Sequence, residues 1–229
     1  MLTSFGLGAL AQLSLVLSGL AVFLIKVPRT IVGDLAGFGA GALIAAVAAD
    51  LLPTAENLQM KQVALWAMVG AGIFILGDRI VDKRFGSEGS SGPLGIVVGA
   101  IVDGVPESII FGVQIGNGTA ISLAFVAAVF VSNIPQALAP SADLAENGWN
   151  WRRVGAVWLW VVFACGASAA LGHLLATSVG GTNGARAAAL ASGGILAMLT
   201  NSLVPFAHER SEQAGLWTVV GFCFALALG

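Results

Sequence analysis

Charge is scarce in this chain of 229 residues: Asp, Glu, Lys and Arg make up only 10% of it, against about a quarter in soluble domains. With 57% hydrophobic residues and a mean hydropathy of +0.92, no water-soluble fold can hide the apolar surface. The shortage of basic residues leaves a net charge of −2, which excludes a basic face for nucleic acid. Cysteine occurs twice, as Cys165 and Cys223, both in apolar runs. Small buried hydrophobes are expected there rather than a disulfide or a metal pair. Histidine also occurs twice. His208 reads as a solvated residue beside Glu209, with an exit ligand as the alternative, and His173 as a hydrogen-bonded packing residue. No Ser/His/Asp or Cys/His set, P-loop or H-E-x-x-H pattern is present, so the chain is not read as an enzyme.

What is abundant is small and apolar, with 31 glycines among many alanines. Helices pack closely in lipid through such residues. A spanning helix needs about 20 mostly apolar residues, and cutting at clustered charges, prolines and polar residues predicts an all-α protein of eight transmembrane helices. The expected spans are 3–25, 31–53, 62–81, 93–115, 119–142, 153–178, 185–206 and 213–229. Met1 to Ile25 lacks a basic start and leads into another apolar run, so it reads as a first span rather than a cleaved signal. The longest connection runs from Asp82 to Gly92, which leaves one membrane domain over 1–229. Eight Lys or Arg fall in the odd-numbered connections, and two, Lys61 and Arg186, in the even-numbered ones. That asymmetry puts the odd connections in the cytoplasm and both termini outside.

An internal repeat follows from aligning Gly41 with Gly193. Pro53 then falls on Pro205 and Asp50 on Ser202, at a shared offset of 152 residues. The second and seventh helices run in opposite directions, so helices 1–3 and 6–8 form an inverted repeat around proline-kinked helices 4 and 5. Transporters built this way bind substrate near the midplane at the repeat interface.

Ionisable side chains within a span cost roughly 2.5–3.5 kcal/mol on insertion scales and mark sites facing protein or water. Asp103 and Glu107 in D-G-V-P-E-S are the deepest, and at i and i+4 they share a helix face. Two carboxylates there repel unless a cation or proton lies between them, and Pro106 frees the carbonyl of Val102 nearby. The fifth helix repeats the pattern with neutral groups: Ser132, Asn133 and Gln136 around Pro135. The oxygen set suits magnesium, manganese or ferrous iron better than zinc or copper(I). For the trio, interhelical packing is the competing role. Asp50 reads as an entry funnel for cations or an ordinary helix terminus, while Asn201 and Ser202 read as the inner half of the path or as hydrogen bonds between helices. Asp78 with Arg79, and Asp82 with Lys83 and Arg84, read as paired or snorkelling charges at the membrane boundary.

These motifs resemble the ZIP family of divalent metal transporters. D-G-V-P-E-S is similar to that family's H-N-x-P-E-G, with Asp103, Gly104 and Glu107 at the histidine, asparagine and glutamate. S-N-I-P-Q occupies the place of H-N/E-x-P-E/H, and the end of the second helix is similar to H-L-L-P with Asp50 at the histidine. The seventh helix has Asn201 and Ser202 where relatives carry an acidic or His-Glu pair. The transport-site histidines and a histidine-rich connection between helices 3 and 4 are missing. The resemblance implies a permease carrying zinc, iron or manganese as substrate toward the cytoplasm, with no other cofactor. Asp103, Glu107, Ser132, Asn133, Gln136, Asp50 and Asn201 would bind the metal, in a bacterial inner membrane and as a homodimer. The alternatives are a proton-linked or other small-solute carrier, and a non-transporting sensor or scaffold of the same fold.

Overall fold

The computed structural model of the chain describes residues 1–85, 93–118, 121–178 and 183–229; most of the expected connection from Asp82 to Gly92 lies outside them. Every regular element among the described residues is helical. In lipid each backbone N–H and C=O must find its partner within the segment, which a helix achieves. Seven helices are long and apolar enough to cross a membrane: α1 (Leu2–Ala21), α2 (Arg29–Thr54), α3 (Met60–Arg84), α4 (Val98–Gly116), α5 (Leu123–Glu146), α6 (Trp151–Thr177) and α7 (Gly184–Arg210). An eighth apolar helix, α8 (Ala214–Leu228), has 15 residues, about 22 Å at the standard rise. It is therefore shorter than the roughly 30 Å hydrocarbon layer, although eight spans were expected.

Three departures from the expected boundaries have local causes. Helix α1 ends at Ala21 rather than residue 25 and is interrupted at Gln12, whose φ of −87° and ψ of 0° break the regular turn. Helix α7 passes Pro205 and continues to Arg210, beyond the expected 206. It survives because the turn before the proline, Leu199–Leu203, widens so that the Val204 N–H reaches the Leu199 carbonyl five residues back. Helix α2 makes the same adjustment over Val47–Leu51, where the Leu52 N–H reaches Val47, just before Pro53. Such wide turns absorb a residue that cannot donate to the helical ladder. Pro106, and Pro135 with Pro140, lie inside α4 and α5.

Glycine lets the helices touch backbone to backbone. In the α2–α8 pair, Gly41 lies on the backbone of Thr218 and Gly221 on that of Phe38. The α3–α7 pair has the matching arrangement, with Gly193 on Ala67 and Gly70 on Leu190. Helix α4 meets α6 through Gly112 on Ala169 and Gly172 on Ile109. Between these pairs lies a core that includes Leu43, Leu51, Phe111, Phe125, Ile195 and Met198, with the rings of Phe111 and Phe125 4.8 Å apart. A second cluster surrounds Trp158, whose indole N–H donates to Ser141 Oγ at 2.7 Å.

The outer surface is apolar as well, with Leu10, Met68, Leu159, Trp160 and Phe163 each more than half exposed. Patches of this kind are rare on soluble monomers. Seven spanning-length helices under an apolar surface describe an integral membrane protein. Cys165 is buried as expected, whereas Cys223 is exposed on α8, because α8 turns that side away from α2.

Candidate functional site

The polar interior begins at the break in α1. Gln12 is fully buried and reaches between two other helices. Its Nε2 donates to Glu107 Oε2 on α4 at 3.2 Å, and its Oε1 accepts from Asn133 Nδ2 on α5 at 2.6 Å. Glu107 and Asn133 are each 1% exposed, so this chain of three is closed off from bulk solvent. The second carboxyl oxygen, Glu107 Oε1, has no hydrogen-bond partner, a costly state for a buried polar atom. Gly104, one turn before Glu107, leaves room for the approach of Cys165 from α6. A Cβ there would stand 3.7 Å from Gln12 Nε2 and collide with Cys165 Sγ from α6. Cys165 completes the surroundings, beside Ser108, Glu107 and Asp103.

Asp103 faces a different space. It lines a cavity of about 380 Å³ that reaches the helix ends at Asp82, Asn147 and Arg210. Among the described residues, five carboxylates line it, from Asp78, Asp82, Asp103, Asp143 and Glu209, against one guanidinium, Arg210. Gln136 and Asn201 share the wall, and the Asn201 side chain is in hydrogen-bonding contact with Asp78. Crowding of one sign inside low-dielectric walls attracts and concentrates cations. Asp78 and Asp82, expected as paired or snorkelling charges at the membrane boundary, line this wall where it reaches the helix ends.

The residues singled out in the sequence therefore separate into four places. Asp103, Gln136 and Asn201 line the cavity, while Glu107 and Asn133 lie in the buried network. Ser132 donates to the Val129 carbonyl of its own helix at 3.0 Å and packs against Gly39 of α2, which is the packing role weighed for it. Asp50 lies at the other end of the bundle, where Oδ2 accepts from Ser122 Oγ at 2.7 Å, beside a separate pocket of about 150 Å³. Ser202 lines the cavity with Asn201. Among the described residues no three His, Cys, Asp or Glu side chains gather into a metal-holding group. His173 Nδ1 and Ser4 Oγ are 3.0 Å apart and join α6 to α1, and His208 is exposed.

Ser122 has two duties, since its hydroxyl also accepts from the Phe125 N–H and caps α5. Ser122→Ala removes the cap, worth about 1 kcal/mol, and the donor to Asp50. We expect a drop in melting temperature of about 2–4 °C in a detergent melt, with Asp50→Asn giving a smaller drop because the cap remains.

Sequence reasoning missed Gln12, Asp143 and Cys165 as site residues. Gln12 alone carried a signal, as a lone amide in the apolar run of α1. No protein-family model matches the chain, and the search of curated proteins likewise finds no match.

Proposed function

We propose that the chain is a permease for divalent cations, of the ZIP type. The observation that carries this reading is an acidic cavity with Asp103 on its wall and, one turn further along α4, the buried Glu107 with one oxygen unsatisfied. An ion attracted by Asp78, Asp82, Asp143 and Glu209 would meet Asp103 and Gln136 on the wall, then Glu107 one helical turn along α4. Carboxylate and amide oxygens on that path suit hard or borderline divalent ions.

The eight-helix order and inverted repeat belong to the same proposal. The widened turns of α2 and α7 are separated by the same 152 residues that align Pro53 with Pro205. The glycine contacts agree: Gly41 corresponds to Gly193, and Phe38 to Leu190, in helix pairs that would exchange under the repeat. Placing the cavity end in the cytoplasm, with both termini outside a bacterial inner membrane, rests on the Lys and Arg bias. This orientation would make the described state open to the inside.

Reconstituted protein tests the reading directly. Liposomes loaded with a divalent-sensitive dye should show uptake of Mn²⁺ or Fe²⁺ above protein-free vesicles. The same ions at a hundredfold over their Kd should stabilise the purified protein by about 2.7 kcal/mol. A panel of Mg²⁺, Mn²⁺, Fe²⁺ and Zn²⁺ with neither uptake nor stabilisation would overturn it.

A further inference from the structure

Gln12 joins three helices through a single amide, and the direction of that amide is set by its partners. Asn133 presents Nδ2, a donor, so Gln12 must offer Oε1 to it and turn Nε2 toward Glu107. The network therefore points an N–H at the one carboxylate it contains. A cation seated on Glu107 needs the opposite arrangement, because an amide ligates a cation through its oxygen. Turning over Gln12 alone would set its Nε2 against Asn133 Nδ2, two donors facing each other. The two amides are consequently coupled: if one turns, both must.

We propose that Gln12 and Asn133 form a coupled amide pair that turns over on cation binding, and that Gln12 is the residue setting the preference for hard over soft ions. This inference rests on the permease reading above. In the empty arrangement Gln12 donates to Glu107 and holds the site closed. In the loaded arrangement Gln12 Oε1 joins Glu107 on the ion, and Nε2 donates to Asn133 Oδ1. The unpartnered Glu107 Oε1 marks an open ligand position within the buried network.

The preference follows from what lies nearby. Cys165 Sγ stands across Gly104 from Gln12. With Gln12 present, the amide oxygen is the third-party donor and favours a hard ion. Without it, the thiol is the remaining neighbour, and sulfur favours a soft ion.

The test compares initial rates of Mn²⁺ and Cd²⁺ uptake in liposomes for the wild type and for Gln12→Ala, Gln12→Met and Gln12→Glu. The Mn²⁺ to Cd²⁺ ratio should fall about tenfold in Gln12→Ala, the scale of one ligand interaction. Gln12→Met fills the same space without an amide and should move the ratio in the same direction, even if Gln12→Ala folds poorly. Gln12→Glu keeps an oxygen and should hold the ratio at or above the wild-type value. Adding Cys165→Ser to Gln12→Met should return the ratio toward wild type by removing Cd²⁺ uptake. A brace without a role in selectivity would lower both rates together, and an unchanged ratio in Gln12→Met overturns the assignment. Wild-type protein that carries none of Mg²⁺, Mn²⁺, Fe²⁺, Zn²⁺ and Cd²⁺ overturns the permease reading and this inference together, whereas wild-type uptake of any of them with no Mn²⁺ transport, or with an unchanged ratio in the variants, overturns this inference alone.

Discussion

Glu107→Gln should abolish cation uptake, with an initial rate down by about a hundredfold or more, while Asp103→Asn should slow it only about tenfold. The difference comes from their surroundings. Glu107 is the only carboxylate in the buried chain with Gln12 and Asn133. Losing a buried charged partner costs roughly 3 kcal/mol, which is about a hundredfold in affinity. Asp103 shares its cavity with Asp78, Asp82, Asp143 and Glu209, so part of the local negative potential persists when it is neutralised. The fold should survive Glu107→Gln, because the new side-chain oxygen still accepts from Gln12 Nε2. Uptake rates at matched protein density, with melting curves of each variant, check both parts. Equal losses in the two variants would place the essential charge in the cavity rather than in the network.

Gly41→Ala and Gly193→Ala should each lower stability by about 1–3 kcal/mol, the usual cost of overpacking, or roughly 2–12 °C in melting temperature. In both cases the added methyl meets a backbone carbonyl, of Thr218 or of Ala67, rather than the flexible end of a side chain. The two helices must move apart, and the close contacts flanking the glycine are lost with them. Gly6→Ala and Gly72→Ala provide the contrast, since a Cβ at either position meets nothing within 4 Å. These two should be neutral or stabilising by up to about 1 kcal/mol, because alanine is the better helix former. Similar drops for Gly41 and Gly193 would also agree with a common origin for their two helix pairs. A neutral Gly193→Ala would count against the tight α3–α7 contact.

The helices were legible because hydrophobic run length reports directly on what lipid demands of a backbone. Spans near α2, α3 and α6 were expected within a few residues of their observed ends. The exceptions have tertiary causes. The expected seventh span stopped at residue 206, just past Pro205, yet the wide turn over Leu199–Leu203 lets α7 continue to Arg210. The turn of α1 at Gln12 had no proline or glycine to announce it; there the backbone yields where a buried amide reaches two other helices.

Cost in lipid identifies Asp103 and Glu107 from sequence alone, since both are carboxylates within an apolar run. Their separation into a cavity wall and a sealed network required the packing of α1, α3, α5 and α7 around α4. Side-chain spacing of i and i+4 puts two groups on one face, but neighbouring helices decide what each of them meets. Asp78 and Asp82 illustrate the same limit. Nearby Arg79, Lys83 and Arg84 suggested paired or snorkelling charges at the boundary, while the position of α7 turns Asp78 toward Asn201 and into the cavity.

Composition and periodicity by themselves determined that the chain is helical, belongs in a membrane and carries costly carboxylates on its fourth helix. Those properties depend on transfer from water to lipid, which each segment experiences on its own. Only the tertiary structure decided that Gln12 bridges Glu107 and Asn133, that Asp103 opens on an acidic cavity and that Asp50 lies at the opposite end. Hydrogen bonds and shared cavities join residues as far apart as Gln12 and Asn133, and such pairings exist only once the helices have packed.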